Sequence, residues 1–317
     1  MTMNRFLTVM LLCVSPVVAL AQNSDTESAS GYSHRLDLQG RFDDRSDRDH
    51  RNQYRIRYYP QWTFDDAGSW SVNSFVVTGD DFGSSHNTIG DGSSQKIYVR
   101  RAYVRHTSSW GKTEVGIIPT YKGRVSSSGL SKDGWIAGVR QVIELDSDSL
   151  LDIVVGELDD TDPANALELP EQTNYIEVEY TTKINEFHSY ELSLERMTGG
   201  NFLRGEYRYK TGPNHTLFFE LIRRLDEPDS KTVAGLSGDF ALNDTPLSYF
   251  AHYSYVSEGI GPRAELTEDF LGTGHGFSAE LSGNIHAVDD MEWFVRFDVV
   301  DSTTRLLTGI TVSLDAD

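Results

Sequence analysis

Between Leu150 and Arg196 the chain alternates apolar and charged side chains over segments of about ten residues, and few folds accept that pattern. LLDIVVGEL is followed by the acidic run DDTDPANALELPEQT, then NYIEVEYT, a short KINEF, and HSYELSLER. In the second apolar run Ile176, Val178 and Tyr180 fall on one side, Glu177 and Glu179 on the other. In the third, Tyr190, Leu192 and Leu194 oppose Glu191, Ser193 and Glu195. Side chains of a strand point to opposite faces with period two, so each strand has an apolar face and a charged face. A long polar connection precedes a tight one, and the unit recurs from Tyr32 to Leu314. Such a text predicts an all-β fold, a transmembrane antiparallel up-and-down β-barrel.

Segmenting the chain gives about sixteen strands, with fourteen or eighteen also compatible, because Trp70–Thr78, Lys96–His106, Thr113–Ile118 and Val233–Phe240 are weakly patterned. An even count places both termini on one side, with the short turns, and the long loops on the other. Asp43–Asn52 reads as a charged loop, and the adjacent Arg100 and Arg101 in KIYVRRAYVRH predict a β-bulge. A soluble sandwich also alternates, but its strands average about 5–6 residues, and several segments here sustain about ten. Aromatics near strand ends (Tyr54, Trp62, Phe64, Trp70, Trp135, Trp293) fit the girdles of a membrane barrel.

The chain begins MTMNRFLTVMLLCVSPVVALAQ. Arg5, the apolar core Phe6–Val18 and the small-x-small triplet Ala19-Leu20-Ala21 predict a secretory signal peptide over residues 1–21 and a barrel over 22–317. The one cysteine, Cys13, lies inside that segment, so the remainder has no disulfide or thiolate chemistry. The formal net charge of −20 argues against a nucleic-acid binder, which needs a basic footprint. The 15 Tyr, 15 Phe and 5 Trp argue that this acidity does not mean disorder.

The lumen is where such a fold carries chemistry. The register turns Arg35, Arg41, Arg55, Arg57, Arg100, Arg140, Arg296 and Arg305 inward as one arc, since the last strand must close on the first. Asp152, Glu177, Glu179, Glu191 and Glu195 form a facing acidic arc. Opposed charges across a low-dielectric lumen produce a transverse field, and charged rings set selectivity in pores. The third long loop, PTYKGRVSSSGLSKDG, carries Lys122, Arg124 and Lys132 against one acid, Asp133, which makes it a candidate constriction.

The succession KIYVRRAYVRH, WGKTEVGIIPTYKGRV and DGWIAGVR resembles the N-terminal half of the phosphate-selective porin family, over about a quarter of the chain. That resemblance implies a sixteen-stranded trimeric channel whose third loop folds inward and whose arginine-rich strands and basic loop residues guide anions. Arg100, Arg101, Lys122 and Arg124 lie in the matching stretches. The chain departs from the family in lacking a long lysine run and in its acidic wall, and Leu314 stands where an aromatic usually ends such barrels.

The expectation is an outer-membrane porin of a Gram-negative bacterium, a water-filled channel for passive diffusion of small hydrophilic solutes or ions. Its partners are outer-membrane lipid, lipopolysaccharide and those solutes, with no nucleic acid. No cofactor and no metal are implied: there is no HExxH or CxxC, and Asp43, Asp44, Asp47 and Asp49 lack the glycine and glutamate of a calcium loop. The alternatives are a barrel hydrolase seeded on His252 beside Ser248 and Ser254, and a non-conducting structural or adhesion barrel.

Overall fold

A computed structural model describes residues 31–65, 67–79, 85–90, 96–119, 136–158, 167, 169–197, 199–260, 273–285, 288 and 290–316. Among them there are strands and connections but no helix. The strands are β1 (Gly31–Arg45), β2 (Arg48–Thr63), β3 (Trp70–Thr78), the two-residue β4 (Asn87–Thr88), β5 (Ile97–Ser108) and β6 (Gly111–Ile118). Next come β7 (Ile136–Glu144), β8 (Ser149–Leu158), β9 (Tyr175–Lys183), β10 (His188–Met197), β11 (Gly200–Gly212) and β12 (His215–Arg224). The chain continues with β13 (Ser230–Leu242), β14 (Thr245–Val256), β15 (Gly274–Asn284), β16 (Met291–Val300) and β17 (Thr303–Ala316).

Each long strand pairs antiparallel with the next, and β17 pairs with β1 from His34↔Ala316 to Arg45↔Arg305. Leaving out β4, the result is a closed barrel of sixteen strands, each matching one segment of the alternating pattern. Closure removes the sheet edges that would otherwise expose unpaired backbone groups. The exposed large apolar side chains lie on the outer face and include Leu192, Leu194, Leu217, Phe219, Phe277, Phe297 and Leu306. Water does not tolerate an apolar band of this extent around a monomer, and a lipid bilayer does.

Four local features depart from the simple pattern. The expected loop Asp43–Asn52 is mostly strand: β1 and β2 extend through it and only Ser46 and Asp47 turn the chain. Arg45–Asp47 and Arg48–Asp43 ion pairs neutralise the charge that suggested a loop. The Arg45 hydrogen bond also holds the Asp47 carboxyl below the usual carboxylate range. At Arg100 the register slips as expected, for Phe75 pairs with Arg101 and Val76 with Val99. Pro60, which has no N–H to give, falls where the β2–β3 ladder is interrupted between Tyr58↔Val76 and Gln61↔Asn73. Beyond Thr78 β3 leaves the sheet, and β4 takes its place beside Gln53 and Tyr54.

A row of three glycines, Gly116, Gly138 and Gly156, crosses β6, β7 and β8 on the inner face between Tyr103 and Tyr175. A Cβ on Gly138 would stand 2.2 Å from the Val155 carbonyl oxygen, so only glycine permits this approach of the two strands.

The histidines, scattered in sequence, are organised in space. Six sit against outward aromatics near strand ends: His34 with Tyr32 and Tyr58, His50 with Phe42, and His106 with Trp70. His188 stacks on Tyr207 and Tyr209, His215 meets Tyr249, and His275 meets Tyr253 and Tyr255. With exposed Trp62, Phe64, Trp70 and Trp110 they make amphipathic rims. Trp135 of the expected girdle lies outside the described residues.

Gly138→Ala is expected to destabilise the barrel by about 1–3 kcal/mol, the usual cost of overpacking. A lower urea midpoint for the heat-modifiable folded species in detergent checks it.

Candidate pore lining

The strand register turns the expected arginines of β1, β2, β7, β16 and β17 to the inner face, while Arg100 is the extra residue of the bulge. What the alternation did not show is what stands beneath them. Asp37 is buried under Arg35 and Arg57, which lie 3.2 and 3.3 Å from its carboxylate and keep 49% and 27% of their side-chain surface exposed. Glu114 is buried under Arg105 and Lys112, at 2.7 and 3.8 Å. Asp298 is buried between Arg296 at 2.9 Å and the fully buried Arg305 at 2.7 Å, and also accepts Ser278 Oγ. At these three sites the carboxylate is buried while Arg35, Arg57, Arg105, Lys112 and Arg296 keep part of their surface exposed; Arg305 is buried with its acid.

One row of that wall mixes cations with rings. Arg35 lies over Tyr59 at 4.6 Å, Tyr59 stacks on Phe75 at 4.5 Å, and Arg101 lies over Phe75 at 5.3 Å. Arg101 reaches this inner row through the bulge; the alternation alone singled out Arg100. Arg41 bonds Gln53 at 2.9 Å, and Arg55 reaches Ser85 at 3.3 Å.

The acidic arc is also inward, on β8, β9 and β10, but it is not a bare wall. Arg140 joins Asp152 (2.8 Å) to Glu114 (3.2 Å) and is itself buried, so it belongs to an internal bridge instead of the exposed basic surface. Tyr175 donates between Glu177 and Glu195, at 2.7 and 2.5 Å. Arg204, on β11, is the hub. Its Nε donates to Glu220 at 2.5 Å, Nη2 to Glu206 at 2.6 Å and Nη1 to Glu191, with Glu179 3.5 Å away. Glu191, Glu206 and Glu220 are direct lateral neighbours on three adjacent strands. Like charges so placed repel unless a cation lies among them. Glu191, Glu220 and Lys231 have no exposed surface, so this wall is covered. Toward the loop end the same strands turn apolar side chains inward, among them Ile118, Ile136, Leu158, Met197 and Ile222, and Ile260 from the connection after β14 packs on them.

The expected constriction residues Lys122, Arg124 and Lys132 are not among those the structure describes, but a second connection bonds to the barrel wall. Between β3 and β5, residues 85–88 meet the first two strands: Ser85 bonds Arg55, His86 bonds Gln39 at 2.7 Å, and Asn87 and Thr88 bond Tyr54 and Gln53. The Ser/Gly/Asp composition of this connection gave no sign of this, because the contacts are with residues thirty or more positions away.

His252 is inward and buried beside Ser254, yet His252 Nδ1 and Ser254 Oγ each lack a hydrogen-bond partner, so the two are not joined as base and nucleophile. Ser248 donates instead to Asp239 at 2.6 Å. Among the described residues no group of three or more His, Asp or Glu is placed to hold a metal.

No protein-family model matches the chain, and no curated protein matches it by sequence. Solved structures do share its fold. A mutant of the Rhodopseudomonas blastica porin superposes at a TM-score of 0.63 with 11% identity, covering 89% of this chain and 100% of that one. A triple mutant of the same porin gives 0.62 at 11% identity, and a further mutant 0.64 at 10%, with the same coverage. The chain thus has the sixteen-stranded porin fold. The likeness is one of fold, with nothing particular to phosphate-selective porins.

Arg204→Ala is expected to cost about 3–5 kcal/mol, because it strands buried carboxylates without their cation. Urea unfolding followed by the gel shift of the folded barrel checks this, and Arg204→Lys should recover part of the loss.

Proposed function

We propose that this protein is an outer-membrane pore for passive diffusion of small hydrophilic solutes, and that its exposed guanidinium layer favours anions. One observation carries the reading: on the β16–β6 side Asp37, Glu114 and Asp298 are buried beneath the more exposed arginines that neutralise them. A permeating ion therefore meets Arg35, Arg57, Arg105 and Arg296 while the paired carboxylates lie below the surface. Rings of charged side chains act as selectivity devices in such pores.

Residues 1–21 serve as the export signal in this reading, and Gram-negative lipopolysaccharide surrounds the loop end. The expected acidic wall contributes less to selectivity than its residue types suggest, because Glu177, Glu179, Glu191 and Glu195 are buried and bonded to Tyr175 and Arg204. Phosphate selectivity and trimeric assembly rest on the sequence resemblance alone, and the loop residues Lys122, Arg124 and Lys132 remain its proposed constriction. The covered wall of β9 to β13 favours a second reading, a barrel too narrow to conduct.

In a planar bilayer under a KCl gradient, the barrel extracted in mild detergent should give discrete steps and a reversal potential favouring chloride. Arg35→Gln with Arg57→Gln uncovers Asp37 and should lower the chloride preference roughly fivefold, the effect of a ~1 kcal/mol charge interaction in water. Cation preference in the unmodified barrel would sink the anion reading. Absence of steps from a folded barrel would favour the narrow one.

A further inference from the structure

The outer face of β9 to β13 is apolar or aromatic along most of its length, and two arginines interrupt it. Arg196 on β10 and Arg223 on β12 are exposed, and both lie one or two residues from the loop end of their strands. Register fixes their outward direction: Arg196 pairs with Ile176 and Asn201, and Arg223 pairs with Leu203 and Ser230. Neither has an ion pair or hydrogen bond within the protein among the described residues. One strand separates them, so they stand roughly 10 Å apart, two inter-strand spacings.

Directly beside Arg196 the outer face is hollowed into a groove of about 450 Å³, lined by Ile176, Val178, Leu194, Arg196, Asn201 and Leu225. Its lip is the connection after β12, where Leu225 N–H bonds the Asn201 carbonyl at 2.8 Å. The acid on that lip, Asp226, is already committed to Arg224 at 3.0 Å and to the Asn201 N–H at 3.0 Å. Those bonds, Arg224 foremost, hold its carboxyl down at about 2. It does not neutralise Arg196 or Arg223.

An unpaired guanidinium facing lipid costs about 2–4 kcal/mol at mid-membrane and roughly 0–1 near the interface. Both arginines therefore belong at headgroup level, where phosphate is the fork-shaped partner a guanidinium prefers. The groove beside them suits an acyl chain. We propose that this face binds a bisphosphorylated, acylated sugar lipid of lipid A type from the loop-side leaflet. One phosphate is held by Arg196 and the other by Arg223, and a chain lies along Ile176, Val178 and Leu194. A second copy of the barrel fits less well: self-packing of this face would set arginine against arginine, with no acid on the same outward rows to meet them. The inference rests on the outer-membrane reading and adds to it a lipid site.

Native mass spectrometry of the full protein, stripped of lipid in neutral detergent and titrated with purified lipid A, tests the site. One retained lipid A is expected, with an affinity that falls roughly tenfold or more in Arg196→Gln/Arg223→Gln, the worth of a charge-assisted hydrogen bond. Each single variant should give part of that loss, and phosphatidylglycerol, with one phosphate, should bind more weakly than lipid A. Unchanged retention by a double variant that still migrates as a heat-modifiable barrel overturns the proposal. So does equal binding of phosphatidylcholine, or an oligomer that the double substitution abolishes, which would assign the face to a second copy. If the unmodified protein shows no heat-modifiable barrel, the membrane reading itself fails, an outcome distinct from a folded barrel that carries no lipid.

Discussion

In hydrocarbon no water is present to satisfy a backbone N–H or C=O, so a strand can cross it only if both its edges are paired. The pairing of β1 with β17 meets that demand by joining residues some 270 positions apart, from His34↔Ala316 onward. Everything else in the molecule follows from that closure. It assigns one face of every strand to lipid and the other to the interior. It also brings the arginines of the first strands beside those of the last. Where a strand cannot hold its partner, at Pro60 and beyond Thr78, a substitute is supplied: the Thr78 hydroxyl accepts the Ile56 N–H and β4 takes up Gln53 and Tyr54.

Closure also decides how interior charge is arranged. The alternating pattern places carboxylates and guanidiniums on one inner surface, and lateral neighbours must then settle the balance. On the β16–β6 side Asp37, Glu114 and Asp298 are each shared by two or more cations, and Arg35, Arg57, Arg105 and Arg296 keep the more exposed position. On the β9–β12 side several glutamates share Arg204 and the group is buried. Breaking such a group is costly because each charge has already lost its water. The same contacts that give the barrel internal rigidity thus leave one wall electrostatically active and the other largely internal.

The outer surface follows a matching logic with the solvents exchanged. Tyrosine, tryptophan and histidine sit at the strand ends, where an apolar ring with a polar edge meets both lipid and water. On the outer face of β9 to β13 the exposed charge lies in the loop-end rows, at Arg196 and Arg223.

Much of this was legible along the chain because strand parity is a local property. Period two placed Glu177, Glu179 and Glu191 inside and Leu192 and Leu194 outside, and the Arg100-Arg101 doublet announced its own bulge. What a residue touches across the sheet is not local. Nothing near Arg204 marks it as the partner of Glu179, Glu191 and Glu220, and nothing near Ser85 marks it as a neighbour of Arg55. The charged run Asp43–Asn52 read as a loop because its ion pairs form only once β1 and β2 lie side by side. The sequence alone determined that this chain makes a barrel and which way the side chains of its regular strands face, since both follow from the backbone's own alternation. The tertiary structure decided which charges are exposed, because burial depends on lateral partners that the period does not encode.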